Sequence, residues 1–191
     1  YQEAQRVLKK ALKLKPNYPE AQNNLGNVYK ELGEYDQAAS QYQKVIEYSF
    51  KPFQAYNNLG IIFQKKAEYQ KSEIAFKEAI RISPKFVEAN KNLAILYDEI
   101  GTYNKAIHQF KIALDLEPNN TELLFSLAMS LAKLSKYSQS LEILENLLTK
   151  KPEFLEGTCF VAVILFEIGK NRLAFDYLKK ALIINPDSKK L

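Results

Sequence analysis

The chain has little of what catalysis usually draws on. Its 191 residues include one cysteine, Cys159, and one histidine, His108. A single thiol excludes an internal disulfide and leaves the redox compartment open. Cys159 and His108 lie too far apart in the pattern described below for a Cys–His nucleophilic pair or a His/Cys metal site, so neither catalysis nor a cofactor is expected. The six glycines occur singly, which excludes a phosphate-cradling loop. The densest apolar stretch, residues 160–166, is far too short to span a bilayer, so direct membrane insertion is not expected. No secretory signal is visible after Tyr1. The formal charge of +5 is modest, permitting acidic partners without requiring them. With 47% hydrophobic and 26% charged residues, the composition is that of a folded chain and not a disordered one.

What the chain does have is a period. Pro84, Pro118, Pro152 and Pro186 are spaced by 34 residues, and the same step backward reaches Phe50 and then Pro16. Five frames, 19–52, 53–86, 87–120, 121–154 and 155–188, align without an insertion, leaving 1–18 as the second half of an earlier frame and 189–191 as a tail. Within each frame the apolar residues follow helical spacing twice. Leu25 and Tyr29 share a face, and Ala38, Tyr42, Val45 and Ile46 form a second run. Between the two runs stands Gly33, Ala67, Gly101, Ser135 or Gly169, a small residue where a helix C-terminus favours a left-handed conformation. Proline at the end of a frame cannot continue the second helix. Each frame therefore predicts a helix–turn–helix hairpin.

Small residues recur at two sites, Gly26/Gly60/Ala94/Ala128/Ala162 and, twelve residues later, Ala38/Ser72/Ala106/Ser140/Ala174. They allow two helix backbones to approach, while Tyr42, Phe76 and Phe110 fill the remaining volume. A hairpin this short cannot bury its apolar face alone, so neighbours must stack into one core. Polar capping helices are absent from both ends, which predicts either a piece of a longer array or ends covered by another copy.

The pattern Leu25-Gly26, Tyr29, Gly33, Tyr35, Ala38, Tyr42, closed by proline, resembles the tetratricopeptide repeat. The likeness extends in register over the whole chain, with departures at Leu131, Leu165 and Leu147. It implies an all-α fold: a right-handed α-solenoid of antiparallel helix pairs, with the first helix of each pair lining a concave groove that receives peptides or proteins. Carried onto this sequence, the groove of the first three frames holds Asn23, Asn24 and Asn27, then Asn57 and Asn58, then Lys91 and Asn92. Asn24, Asn58 and Asn92 are equivalent residues and form a ladder similar to that in the tetratricopeptide superhelix of O-linked N-acetylglucosamine transferase. The related carboxylate clamp of chaperone adaptors needs Lys where Asn23 stands, and Lys and Arg where Glu88 and Asn92 stand, so that mode is rejected.

A primary amide both donates and accepts, so an asparagine row can hold a peptide backbone in either polarity without reading side chains. Packed helices lie roughly 8–10 Å apart, and three residues of polyproline-II chain advance about 9.3 Å in one turn. An extended ligand can therefore meet one asparagine per repeat. The alternative is that each asparagine bonds to its own backbone. Toward the C-terminus the groove becomes apolar: Phe125 and Met129 in frame four, then Phe160, Val163 and Phe166 in frame five. Either a following segment packs there, or a hydrophobic partner such as an amphipathic helix does.

Lysines recur on the second helices but alternate with Glu47, Glu78, Asp115 and Glu145, as on a solvated outer face, so nucleic acid is not an expected partner. The sequence thus points to a non-catalytic scaffold for a protein or extended peptide, with self-association through the solenoid ends also open. The recognition arm of a larger enzyme, such as a glycosyltransferase, is the leading alternative.

Overall fold

A computed structural model describes residues 1–185; Pro186, the end of the fifth frame and the 189–191 tail lie outside the described residues. The fold is all-α. The helices are α1 (Gln2–Leu14), α2 (Pro19–Glu31), α3 (Tyr35–Tyr48), α4 (Phe53–Lys65), α5 (Tyr69–Ile82), α6 (Val87–Glu99), α7 (Tyr103–Leu116), α8 (Thr121–Lys133), α9 (Tyr137–Lys150), α10 (Leu155–Glu167) and α11 (Asn171–Ile184). From α2 on, first helices of 13 residues alternate with second helices of 14. The chain forms two compact units, residues 1–100 and a second from residue 101. In the first unit α2 packs on α3, α4 on α5, and each element on the next in sequence; in the second, α8 pairs with α9 and α10 with α11.

The break between paired helices is made by the backbone. Gly33, Gly101 and Gly169 have φ of +76°, +75° and +76°, and Ala67 and Ser135 take the same left-handed region at +57° and +56°. Glu34 N–H donates to Tyr29 C=O at 2.9 Å, and Glu68, Lys136 and Lys170 repeat this bond at 2.8–3.0 Å to Phe63, Leu131 and Leu165. In these four hairpins the bonds satisfy carbonyls that a helix end would leave bare and set the reversal. A side chain at the three glycines would meet nothing within 4 Å, so only the backbone conformation favours glycine there.

Hairpin closure depends on matched volumes. A Cβ at Gly26 would lie 2.6 Å from Tyr42 Cε1, and one at Gly60 would lie 2.6 Å from Phe76 Cε1. In the second unit the equivalent site holds Ala128, and the facing residue shrinks to Leu144; both are buried in one cluster with Val161, Ala162 and Leu165. Where the second small site is serine, its hydroxyl is satisfied on the first: Ser72 Oγ donates to Gly60 C=O at 2.8 Å, and Ser140 Oγ to Ala128 C=O at 2.7 Å. In the first unit Leu25, Tyr29, Ala38, Tyr42, Leu59 and Ile62 make a continuous core, on which Leu8 and Leu12 of α1 are half-buried.

Candidate functional site

Within each unit, the fifth residue of one first helix meets the sixth residue of the next first helix. In the first unit they are Asn23 and Asn24 on α2, Asn57 and Asn58 on α4, and Lys91 and Asn92 on α6. Stacking of consecutive hairpins brings the fifth residue of one repeat against the sixth of the next. Asn58 Nδ2 donates to Asn23 Oδ1 at 3.2 Å and to Asn27 Oδ1 at 3.3 Å. Asn92 Nδ2 donates to Asn57 Oδ1 at 2.9 Å, and Asn57 is only 6% exposed. Asn27 Oδ1 also accepts from the Tyr42 hydroxyl at 2.8 Å. Burial, and secondarily the charge of Glu31, push the Tyr42 hydroxyl up, so it remains a neutral donor.

Asn58 and Asn92 are thus held by amides of the preceding repeat and not by their own backbone, the alternative weighed above. That bond belongs instead to the fourth position, which sequence reading passed over. There Gln22 Nε2 donates to Pro16 C=O at 2.8 Å, and Asn90 Nδ2 to Phe86 C=O at 3.0 Å, each fastening the loop before its own helix. Asn24 is exposed. Beside it, a depression of about 310 Å³ between the first two repeats is lined by Glu20, Asn23, Asn24, Lys51 and Gln54 among others. The Tyr42–Asn27 bond left one sequence signal. Only the first frame has a tyrosine hydroxyl at that core site, and only it has asparagine at the ninth position.

In the second unit the same register carries rings. Phe125, fifth on α8, meets Phe160, sixth on α10, edge to face with centroids 5.7 Å apart; Phe154 closes on Phe125 at 5.2 Å. Met129 is half-buried on α8. Val163 and Phe166 on α10 are open, at 51% and 38% exposure, and Phe166 edges Phe175 of α11 at 5.4 Å. So α10 is apolar nearly all round, yet its outer stripe is bare among the described residues.

The remaining chemistry is sparse. Cys159 is half-buried on α10, and burial together with Glu156 pushes its thiol up, away from the nucleophilic thiolate. His108 is exposed on α7. Among the described residues no group of three or more His, Cys, Asp or Glu side chains is placed to hold a metal ion, and no helix is long and apolar enough to cross a membrane.

Family profiles match most of the chain. One described as "Tetratrico peptide repeat" matches residues 88–185, one described as "TPR repeat" matches 1–33 and 26–66, and one described as "Tetratricopeptide repeat" matches 53–86. No curated protein matches. Among solved structures, YrrB, described as a TPR protein with an unusual peptide-binding site, is 22% identical with a TM-score of 0.75, covering 95% of this chain and 93% of its own. MamA of Desulfovibrio magneticus RS-1 (residues 41 to its end) is 12% identical with a TM-score of 0.80, covering 90% and 97%. The Cut9–Hcn1 hetero-tetramer of the APC/C is 19% identical with a TM-score of 0.75, covering 98% of this chain and 37% of that one. At these identities the likeness is one of fold.

Proposed function

This chain belongs to the tetratricopeptide repeat family, and from that premise we propose that it is a non-catalytic interaction scaffold that holds an extended peptide or partner segment along its first helices. The observation that carries the reading is the amide row of the first unit. Asn23, Asn27, Asn57, Asn58 and Asn92 are fixed by one another across successive repeats. Pre-set amides cost little ordering when a ligand arrives. Together with Asn24 and Lys91 they form the proposed peptide site, in the frames beginning at residues 19, 53 and 87. Phe125, Met129, Phe160, Val163 and Phe166 form a second, apolar site in the last two frames. YrrB, which has a peptide-binding site, and Cut9, which assembles with Hcn1, support this use of the fold.

The test is an affinity capture from lysate of the source organism with the wild type and with the Asn24→Ala, Asn58→Ala, Asn92→Ala triple variant, both first matched for helicity by circular dichroism. Partners recovered by the wild type and lost from the variant identify the ligand and its site. Equal recovery by both proteins would make the asparagines structural and transfer the binding role to the aromatic face.

A further inference from the structure

Gln22 is 3% exposed, and its amide is only half used. Nε2 donates to Pro16 C=O at 2.8 Å, while Oε1 is buried with no hydrogen-bond partner among the described residues. Turning the amide over would set its oxygen against that of Pro16, so the orientation is fixed. A buried acceptor without a donor is costly, and the other repeats avoid it. At the equivalent place Tyr56 and Leu124 carry no amide, Asn90 Nδ2 donates to Phe86 C=O, and the Thr158 hydroxyl donates to Phe154 C=O.

Gln22 stands in the lining of a depression of about 340 Å³, together with Pro16 from the loop after α1 and Gln43, Lys44, Glu47 and Tyr48 from α3. None of the groove asparagines lines it. Glu47 brings a carboxylate, and Tyr48 a ring that is 52% exposed. Both stand in the last turn of α3, where main-chain carbonyls at a helix end carry partial negative charge. Lys44 is the one cation in this lining, a turn earlier on α3, and Lys15 is turned over the Tyr18 ring at 4.8 Å.

We propose that this depression takes the guanidinium of an arginine side chain presented by a partner protein. A guanidinium has donors only, is planar and stacks on aromatic faces, whereas an ammonium offers neither the plane nor the fork. One N–H pairs with Gln22 Oε1, the others face Glu47, and the plane lies on the Tyr48 ring. The exposed Gln43 and Lys44 side chains rotate aside to admit it. The site shares no residue with the amide row, so it stands or falls independently of the peptide groove.

The test is a titration of the isotope-labelled full chain with N-acetyl-arginine N-methylamide, followed by NMR through the Gln22 side-chain amide signals. The lysine counterpart keeps the charge and loses the plane; the citrulline counterpart keeps the shape and loses the charge. At matched ionic strength the arginine derivative is expected to move the Gln22 signals about fivefold further than either. Glu47→Gln and Tyr48→Leu should each weaken its binding about threefold, and Lys44→Ala should strengthen it about twofold. All three residues are exposed, so the variants should keep wild-type helicity by circular dichroism, and Glu145→Gln, on α9, should leave binding unchanged. Equal responses to arginine and lysine would reduce the effect to charge attraction and overturn the proposal. Arginine binding indifferent to both Glu47→Gln and Tyr48→Leu would overturn its location. Gln22 signals that no derivative moves would leave the oxygen to water alone, which also overturns it.

Discussion

At the fifth and sixth positions of the repeat, the two units share a register and differ in chemistry. Asn57 and Asn92 meet through an amide hydrogen bond; Phe125 and Phe160, one repeat apart in the same sense, meet as crossed rings. Both arrangements close the space between consecutive first helices. An amide bond contributes about 0.5–1.5 kcal/mol net, and a ring pair about 0.5–1.5 kcal/mol beyond the area it buries. Because the two are comparable as braces, stability alone leaves the choice open. They differ in what they leave for a ligand. An amide row retains donors and acceptors at fixed points, whereas the rings leave only apolar surface. The hairpin core shows the same freedom, pairing Gly60 with Phe76 in one unit and Ala128 with Leu144 in the other.

The strongest way to break the comparison is to empty the aromatic rung. Phe125→Ala removes contacts with both Phe154 and Phe160 and is expected to cost about 3 kcal/mol, read as a lower urea midpoint by circular dichroism. Next comes the exchange of volumes. Gly60→Ala should cost about 2 kcal/mol, since the new methyl would sit 2.6 Å from Phe76 Cε1. Combined with Phe76→Leu, which installs the pair found in the second unit, most of that loss should return; strict additivity in the double-mutant cycle would refute the volume argument.

Breaking the amide rung should cost less. Asn57→Ala leaves the Asn92 N–H without its acceptor but still near the groove, where water reaches it, so a loss of about 1 kcal/mol is expected in the same unfolding assay. The smallest effect is at Tyr42. Its folded-state pKa is raised, so the unfolded chain ionises first and stability should fall as pH rises above about 10. Tyr42→Phe should cost about 0.5 kcal/mol at neutral pH, because Asn27 Oδ1 loses the tyrosine but still accepts from Asn58. It should also flatten part of the alkaline decline, to which Tyr97 and Tyr177, pushed up by burial, and Tyr69, Lys66 and Lys77, held up by carboxylate hydrogen bonds, also contribute. An unchanged alkaline slope would remove Tyr42 from the groups that cause the decline.

Much of the fold was legible in advance because the signals are local. The left-handed residue at each hairpin break could be read from Gly33, Gly101 and Gly169, and even Ala67 and Ser135 hold the same conformation, since their place in the period outweighs their own preference. The site was legible only as a set of aligned asparagines. Their partners were not, because Asn58 and Asn23 are 35 residues apart and Asn58 and Asn27 are 31 apart. Neither separation matches the 34-residue period, and which one closes depends on how one hairpin is seated on the next.

The sequence by itself determined the family, the period, the helix pairs and the small-against-large packing within a hairpin, because each depends on spacing along the chain and on side-chain volume. Only the tertiary structure decided which amides face each other and which way their protons point. Helix propensity and hydrophobic periodicity act within about one turn, whereas a carboxamide chooses its partner by distances of a few tenths of an ångström between stacked helices.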